Sequence, residues 1–471
     1  MLNSVSRAFT QNPDLLVIGG GPGGYAAAIR AAKLGLKTVC VEKEKLMGGT
    51  CLREGCIPSK FFLNMSHKVY EANHEFKNFG IKLPGEAAVD MAIAQRRKNG
   101  ILAGLSAGIE GLIDRAGGEL VHGTATINSK NDVSVKLEDG KTVIFNPKNL
   151  LLATGTDKWF PKTFPVDEQI IATSQGVLNW KEIPKTLTVV GGGIIGLELG
   201  SVFHSLGSKV TIVDMAPTIG GPSVDPMIGR YVQNILKRRG MDFILGKGVD
   251  SCTKTENGVE VVVGDKKLQS ERALIAIGRR LHLDGFGLER LNLKRQKNGL
   301  IEVNNRLETS EKNVYAIGDI VPGPQLAHKA EEEGIACVEM LAGHESSYDP
   351  NVIPAVIYTS PEIATVGLTQ NKAAKQGIKT KVGMFPYSAN SRARAILDPT
   401  GFVKFVCGED GRVLGMQIVG PNAGEAIMEG AIAIKNKLKI DAIAETCHPH
   451  PTLSEAVMEA AKAVLSKAIH I

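Results

Sequence analysis

The sequence predicts an α/β chain: two β-α-β units of parallel sheet, followed by a separate C-terminal α+β domain. Three observations carry this reading. An apolar run that ends in glycines, Leu15-Leu16-Val17-Ile18, leads into an alanine-rich stretch and a second apolar run, Thr38 to Val41. The same arrangement recurs from Leu187. Beyond Pro350 the pattern changes to short strands followed by helical stretches, as in an α+β domain.

In the first unit a helix is expected from about Gly23 to Leu34, and the second strand ends at Glu42. A helical crossover of this kind joins parallel strands. In the second unit the strand Leu187–Val190 precedes a glycine turn, Gly191 to Gly196, and a helix to about Leu206. The strand Lys209–Val213 then ends at Asp214. Gly19 to Glu42 spans 23 positions (42 − 19), and Gly191 to Asp214 also spans 23 (214 − 191). Equal spacing in two copies points to two domains of one kind. In the C-terminal segment, strands are expected at Val356–Tyr358, Phe402–Val406 and Val413–Val419. Helices are expected from about Ala423 to Leu438 and from Leu453 onward. Candidate linkers carrying Pro or Gly are Phe160–Pro165, Ile277–Arg280 and Pro350–Pro354. The expected domain limits are 13–156, 157–280, 281–350 and 351–471, with 13–156 and 281–350 the two parts of one domain.

At roughly 150 residues per domain, 471 residues make about three domains. The net charge of +6 is small and its charges are interspersed, so no nucleic-acid partner is expected. No apolar stretch approaches the ~20 residues of a membrane span, so no membrane partner is expected either. Of the seven cysteines only Cys51 and Cys56 are close in sequence, unlike a secreted disulfide framework. The segment Met1–Asn12 carries Ser4, Ser6, Arg7 and Thr10, and no acid precedes Asp14. That composition suits either a mitochondrial targeting segment or a plain tail. The expected location is the mitochondrial matrix, with the cytoplasm as alternative.

Both glycine runs have the GxGxxG spacing, at Gly19, Gly21 and Gly24 and at Gly191, Gly193 and Gly196. The first glycine permits a tight turn, the second lets backbone approach a pyrophosphate, and the third packs helix on strand. The helix N-terminus then faces the phosphates with its partial positive charge. Glu42 and Asp214 stand where an acid accepts from a ribose hydroxyl. These units therefore read as two Rossmann-like dinucleotide-binding domains. Asp214 is followed by Met215-Ala216-Pro217 without a cation, and an acid repels a 2′-phosphate, so NAD is expected there over NADP.

Cys51 and Cys56 lie in Gly48-Gly49-Thr50-Cys51-Leu52-Arg53-Glu54-Gly55-Cys56-Ile57-Pro58-Ser59-Lys60. Residues five apart in a regular helix rise about 7.5 Å, whereas a disulfide needs Cα atoms within about 7 Å. Bridging them needs a distorted helix start, for which Gly48, Gly49 and Gly55 supply freedom. A metal site needs further ligands, which are not nearby in sequence. Behind a nucleotide-binding unit, the pair reads as redox-active beside a flavin.

GGTCxxxGCIPSK resembles the active-site motif of the flavin-dependent pyridine nucleotide-disulfide oxidoreductases, and the chain looks like their dihydrolipoamide dehydrogenase branch. The likeness runs from about Asp14 to Lys467. Its other carriers are Ala153-Thr154-Gly155, Thr309 to Asp319, Leu326-Ala327-His328, Asn390-Ser391-Arg392-Ala393 and His448-Pro449-His450-Pro451-Thr452-Leu453-Ser454-Glu455. The resemblance implies that Cys51 exchanges with dihydrolipoamide and that Cys56 lies against the flavin. It implies FAD contacts from Gly19, Gly21, Gly24, Glu42, Lys60, Gly123, Thr154, Gly155, Thr156, Asp319, Gln325, Leu326, Ala327 and His328. It implies NAD contacts from Gly191, Gly193, Gly196, Glu198, Asp214, Val249 and Gly278, with Lys60 and Glu198 a buried pair. The implied reaction oxidises protein-bound dihydrolipoamide with NAD⁺ as final acceptor. The implied partners are a second copy of the chain and the lipoyl-bearing domain of a 2-oxo acid dehydrogenase or glycine-cleavage complex. Arg53-Glu54, Leu281 and Ser360 depart from the family pattern.

A dithiol must lose a proton before its thiolate attacks a disulfide, and histidine suits that role. His450, directly before Pro-Thr as in the family, is the expected base, with Glu455 as its partner and His448 the lesser candidate. In the family this base serves the cysteines of the other subunit. Thr452 and Glu455 also match a capping box at a helix start, and a glutamate spent on capping cannot fully orient a histidine. Another disulfide reductase of the family shares most of this framework, but such enzymes usually use NADP and Asp214 opposes it. A non-catalytic complex scaffold would need none of Cys51, Cys56, His450 and Glu455.

Overall fold

The computed structural model describes residues 9–471 apart from Ser223 and Ser347. Ser4, Ser6 and Arg7 of the candidate targeting segment lie outside the described residues. The chain divides into two compact units. Among the described residues, one comprises those up to Pro58, Ala92–Trp159 and Gly278–Tyr348; the other comprises Ser59–Met91, Phe160–Ile277 and Asp349–Ile471.

The first unit is built on a seven-stranded sheet. Its spatial order is Val314–Ala316, Asn149–Leu152, Leu15–Ile18, Thr38–Glu42, Glu119–Ser129, Asp132–Leu137 and Thr142–Phe145. The first five strands are parallel, with Leu15 opposite Thr38 on one side and Asn149 on the other. The last two are antiparallel additions. All four residues of Leu15–Ile18 are buried, as expected where both faces of a parallel sheet are covered. The helix Pro22–Lys33 packs on the helix Ala327–Leu341 at backbone range. A Cβ on Gly334 would stand 2.4 Å from the Gly23 oxygen, so only glycine permits this approach.

In the second unit five parallel strands lie in the order Asp242–Leu245, Lys209–Asp214, Thr186–Val190, Arg272–Ile275 and Ile171–Ala172. A separate antiparallel sheet of the same unit orders Ala355–Ile357, Glu362–Gly367, Val413–Gly420, Phe402–Gly408 and Thr380–Pro386. The helices Ala423–Lys435 and Glu455–Val464 pack on it around Phe385, Phe405, Met416, Ile427 and Val457. Strand Thr380–Pro386 runs against the second of these helices so closely that a Cβ on Gly383 would lie 2.4 Å from the Ala460 oxygen. The α/β class and the antiparallel C-terminal domain are as the sequence predicts.

The C-terminal sheet holds more than the sequence predicts. Strands Glu362–Gly367 and Thr380–Pro386 are additional to those expected, and the last helices start at Ala423 and Glu455 and stop at Lys435 and Val464. Among the described residues no helix is long and apolar enough to cross a membrane.

Candidate active site

The two glycine turns are built alike. Gly19 and Gly191 take φ of 106° and 110°, which glycine alone adopts freely. A Cβ there would meet the Ala153 and Ala276 oxygens at 2.3 and 2.2 Å. Gly24 and Gly196 lie 1.8 Å, as a built Cβ, from the oxygens of Gly19 and Gly191, so each helix sits directly on its turn. Gly193 has no neighbour within 4 Å on its Cβ side, and Gly21 has only the Gly49 Cα at 3.8 Å. That room at the two helix N-termini is what a pyrophosphate approaching the backbone requires. The helices begin at Pro22 and Ile194, so the third glycine lies inside each helix.

Each acid is fixed by the turn it serves. Glu42 accepts from the Gly20 N–H at 2.8 Å and from the Glu44 N–H at 2.9 Å. Asp214 accepts from Gly192 at 2.5 Å and Ala216 at 2.7 Å. Arg53, one of the departures, is mostly buried with its guanidinium 3.8 Å from Glu42 and 3.9 Å from Glu44. Leu281 pairs with Thr156 in a two-stranded ribbon, and the Ser360 carbonyl accepts from Arg239.

The cysteines sit on a broken helix. A short helix Gly49–Glu54 ends at Gly55 (φ −139°, ψ −108°), and a new helix, Cys56–Tyr70, starts at once. A Cβ on Gly55 would lie 3.1 Å from the Thr50 oxygen and 3.5 Å from the Cys51 Cα, so the chain folds back on Cys51 at a point where only glycine fits well. This is the distorted start that the spacing requires. Both cysteines are half-buried. Burial, with the charges of Glu331 and Cys51, pushes the Tyr25 phenol up to about 12, so a protonated phenol stands near Cys51. Nothing in the sequence singles out Tyr25.

Two other expected flavin residues of the first unit, Thr156 and Asp319, are hydrogen-bonded to each other. Thr156 donates to Asp319 at 2.6 Å, and Arg279 donates to the Thr156 hydroxyl and carbonyl at 2.7 and 2.6 Å. Arg279 also reaches the Thr50 hydroxyl at 3.5 Å, next to Cys51. Thr154 donates to the His282 carbonyl, and Gly155 takes φ of 67° with open space on its Cβ side. Gln325 and Leu326 lead into the helix that begins with Ala327 and His328. Gly123 lies mid-strand opposite Leu137, where a Cβ would strike the Lys136 oxygen at 2.7 Å. Arg279 escapes sequence reading because its partners are 123 and 229 residues away.

Lys60 stands one turn beyond Cys56 on the same helix. Within the second unit its ammonium meets both Glu198 oxygens, at 3.0 and 2.8 Å. The Glu198 side chain is 4% exposed and that of Lys60 35%, so the pair expected to be buried has a buried carboxylate and a half-buried lysine. Glu198 also accepts from the Tyr358 N–H at 3.0 Å, and Lys60 lies over the Tyr358 ring. Of the remaining expected NAD residues, Val249 packs beside the Val259–Val263 core, whereas Gly278 belongs to the first unit.

His450 and Glu455 are brought together. His450 Nδ1 lies 2.8 Å from Glu455 Oε1, and Glu455 Oε2 accepts from the Thr452 N–H at 2.8 Å. The two uses of the carboxylate fall on different oxygens, so bonding the backbone does not compete with holding the histidine. Half of the capping box forms, Glu455 taking the Thr452 N–H, while Thr452 Oγ1 donates to the Pro449 carbonyl and the helix itself begins at Glu455 behind Ser454. Burial raises the Glu455 carboxyl, but the Thr452 N–H, the His450 ring and the nearby His470 outweigh it and hold it below the usual range. Asn390 caps the helix Ser391–Ala395 through Ala393 and donates to the Thr452 carbonyl at 3.0 Å. No group of metal-ligating side chains occurs among the described residues.

Residues 13–334 match the family described as Pyridine nucleotide-disulphide oxidoreductase, and residues 353–461 match the dimerisation domain of that family. This chain belongs to the pyridine nucleotide-disulphide oxidoreductases. It is 43% identical to "Dihydrolipoyl dehydrogenase 1, mitochondrial" of Arabidopsis thaliana, over 99% of this chain and 94% of the relative. It is 42% identical to "Dihydrolipoyl dehydrogenase" of Trypanosoma brucei brucei, over 98% of each. Among solved structures, LpdA from Mycobacterium tuberculosis superposes with a TM-score of 0.89 at 26% identity, covering 96% of this chain and 99% of that one.

Proposed function

We propose that this oxidoreductase oxidises protein-bound dihydrolipoyl groups, with FAD as resident cofactor and NAD⁺ as final electron acceptor. The observation that carries the reading is full-length likeness, at 42–43% identity, to relatives named for that activity. The turn geometry fits the cofactors: Gly21 leaves room for a pyrophosphate and Glu42 is already oriented by backbone N–H groups. Cys51, half-buried at the start of the motif, would take the thiolate of the incoming dithiol, and Cys56 would exchange electrons with the flavin. The bound flavin supplies two-electron exchange between the cysteine pair and the nicotinamide. His450, oriented by Glu455, accepts the proton that the dithiol must lose before it attacks. Thr156, Asp319 and Arg279 support the flavin site, and Lys60 is held by Glu198.

A family dimerisation domain at 353–461 supports a homodimer. In it His450 and Glu455 of one subunit serve Cys51 and Cys56 of the other. The domain limits 13–156 and 281–350 for flavin, 157–280 for NAD and 351–471 for the interface belong to the same reading. So do the lipoyl-bearing domain of a 2-oxo acid dehydrogenase or glycine-cleavage complex as partner, and the mitochondrial matrix as location. The purified protein should reduce NAD⁺ with dihydrolipoamide and show little turnover of glutathione disulfide with NADPH. The opposite preference would overturn the reading.

A further inference from the structure

His448, the lesser candidate for the base, is engaged at both ring nitrogens. Its side chain is 7% exposed. Nε2 lies 3.1 Å from Glu429 Oε2, on the helix Ala423–Lys435, and Nδ1 lies 2.9 Å from the Thr446 carbonyl. Both ring nitrogens thus face protein oxygens and neither is turned toward an incoming substrate. His450 two residues on is the reverse case, with a side chain 70% exposed and one nitrogen held by Glu455.

We propose that His448 and Glu429 form a clamp that positions His450, an inference that rests on His450 being the base. The clamp fastens the chain to one core helix just before His450. Just after it, Asn390 holds the Thr452 carbonyl and Glu455 holds the Thr452 N–H. Only Pro449, His450 and Pro451 lie between the two fastenings, and proline fixes φ at two of those three positions. His450 is thus an exposed side chain on a short, twice-anchored span. His448 is a positioning residue that acts through His450.

The test uses the full-length holoenzyme. His448→Ala should lower kcat for dihydrolipoamide oxidation by roughly 10-fold or more, as expected when a base drifts by about 1 Å, with KM little changed. His448→Gln, which keeps an N–H for Glu429, should recover much of the loss. In a His450→Ala background, His448→Ala should cost nothing further. NADH-driven reduction of ferricyanide, which needs no dithiol base, should stay unchanged in the His448 variants and so reports an intact fold. Equal losses in both backgrounds, or no loss in either, would overturn the clamp. If the unmodified protein reduces ferricyanide but does not oxidise dihydrolipoamide, the proposed function fails. The clamp is then read from hydrogen exchange, where Glu429→Leu should speed exchange across Thr446–Thr452. Unchanged exchange there would overturn it.

Discussion

Glu455 divides its carboxylate between His450 Nδ1, 2.8 Å from one oxygen, and the Thr452 N–H, 2.8 Å from the other. One side chain therefore fixes both the ring and the backbone that carries it. His450→Ala should lower dithiol oxidation by about 10²- to 10⁴-fold, and Glu455→Gln by less. The pH sign follows from the lowered Glu455 carboxyl. A depressed folded-state value stabilises the fold above the unfolded value and is lost as pH falls through the folded one. The wild type's margin over Glu455→Gln in denaturant midpoint should be larger at pH 7 than at pH 3. A margin that grows on acidification would show that the carboxylate is not held as the distances imply.

Lys60 and Glu198 join the helix Cys56–Tyr70 to the helix Ile194–Ser205. Glu198→Leu leaves the Tyr358 N–H without its acceptor and Lys60 without its counter-ion. Lys60 keeps access to water, so a loss of about 1–3 kcal/mol is expected in place of the larger cost of stranding a fully buried charge. An unchanged denaturation midpoint would contradict this.

Asp214 ends the strand Lys209–Asp214 with both oxygens bound by backbone N–H groups. Asp214→Arg should raise kcat/KM for NADP relative to NAD by at least about 10-fold, the scale of one lost repulsion plus one gained ion pair. A ratio that does not move would place the ribose acid elsewhere.

Much of this site is legible in the sequence because its parts are local. Gly19 to Glu42 and Gly191 to Asp214 are complete within one β-α-β unit each, so spacing alone locates them. The bend between Cys51 and Cys56 follows from helix rise and the disulfide distance limit. What escaped is long-range. Arg279 meets Thr156 and Thr50 only once the Arg279–Leu281 strand pairs with Thr156–Lys158, and Asn390 meets Thr452 only after the C-terminal core closes. Strand Thr380–Pro386 alternates poorly, and its place depends on the helix contact at Gly383. The clash between capping and orienting at Glu455 was resolved by oxygen geometry, which composition does not carry.

Two-fold symmetry would give two equivalent active sites per dimer. Mixing Cys51→Ser subunits with His450→Gln subunits should then return about half of the wild-type activity per mixed dimer, since one site carries both defects and the other neither. Activity near zero in dimers verified as mixed would mean that the base serves the cysteines of its own chain.

The central claim is that electrons from dihydrolipoamide reach NAD⁺ through Cys51 and Cys56. Anaerobic iodoacetamide labelling with peptide mass analysis tests it most directly. Burial pushes Cys252 up to about 11 and Cys407 up to about 12, and raises Cys40 and Cys337 further, so these four should stay unlabelled at pH 7.5. Exposed Cys447 should label in every state. Cys51 should label only after dihydrolipoamide is added and become protected again when NAD⁺ follows, with one NADH formed per dithiol oxidised. Unchanged Cys51 labelling through this cycle, or wild-type NADH formation by Cys51→Ser, would contradict the account.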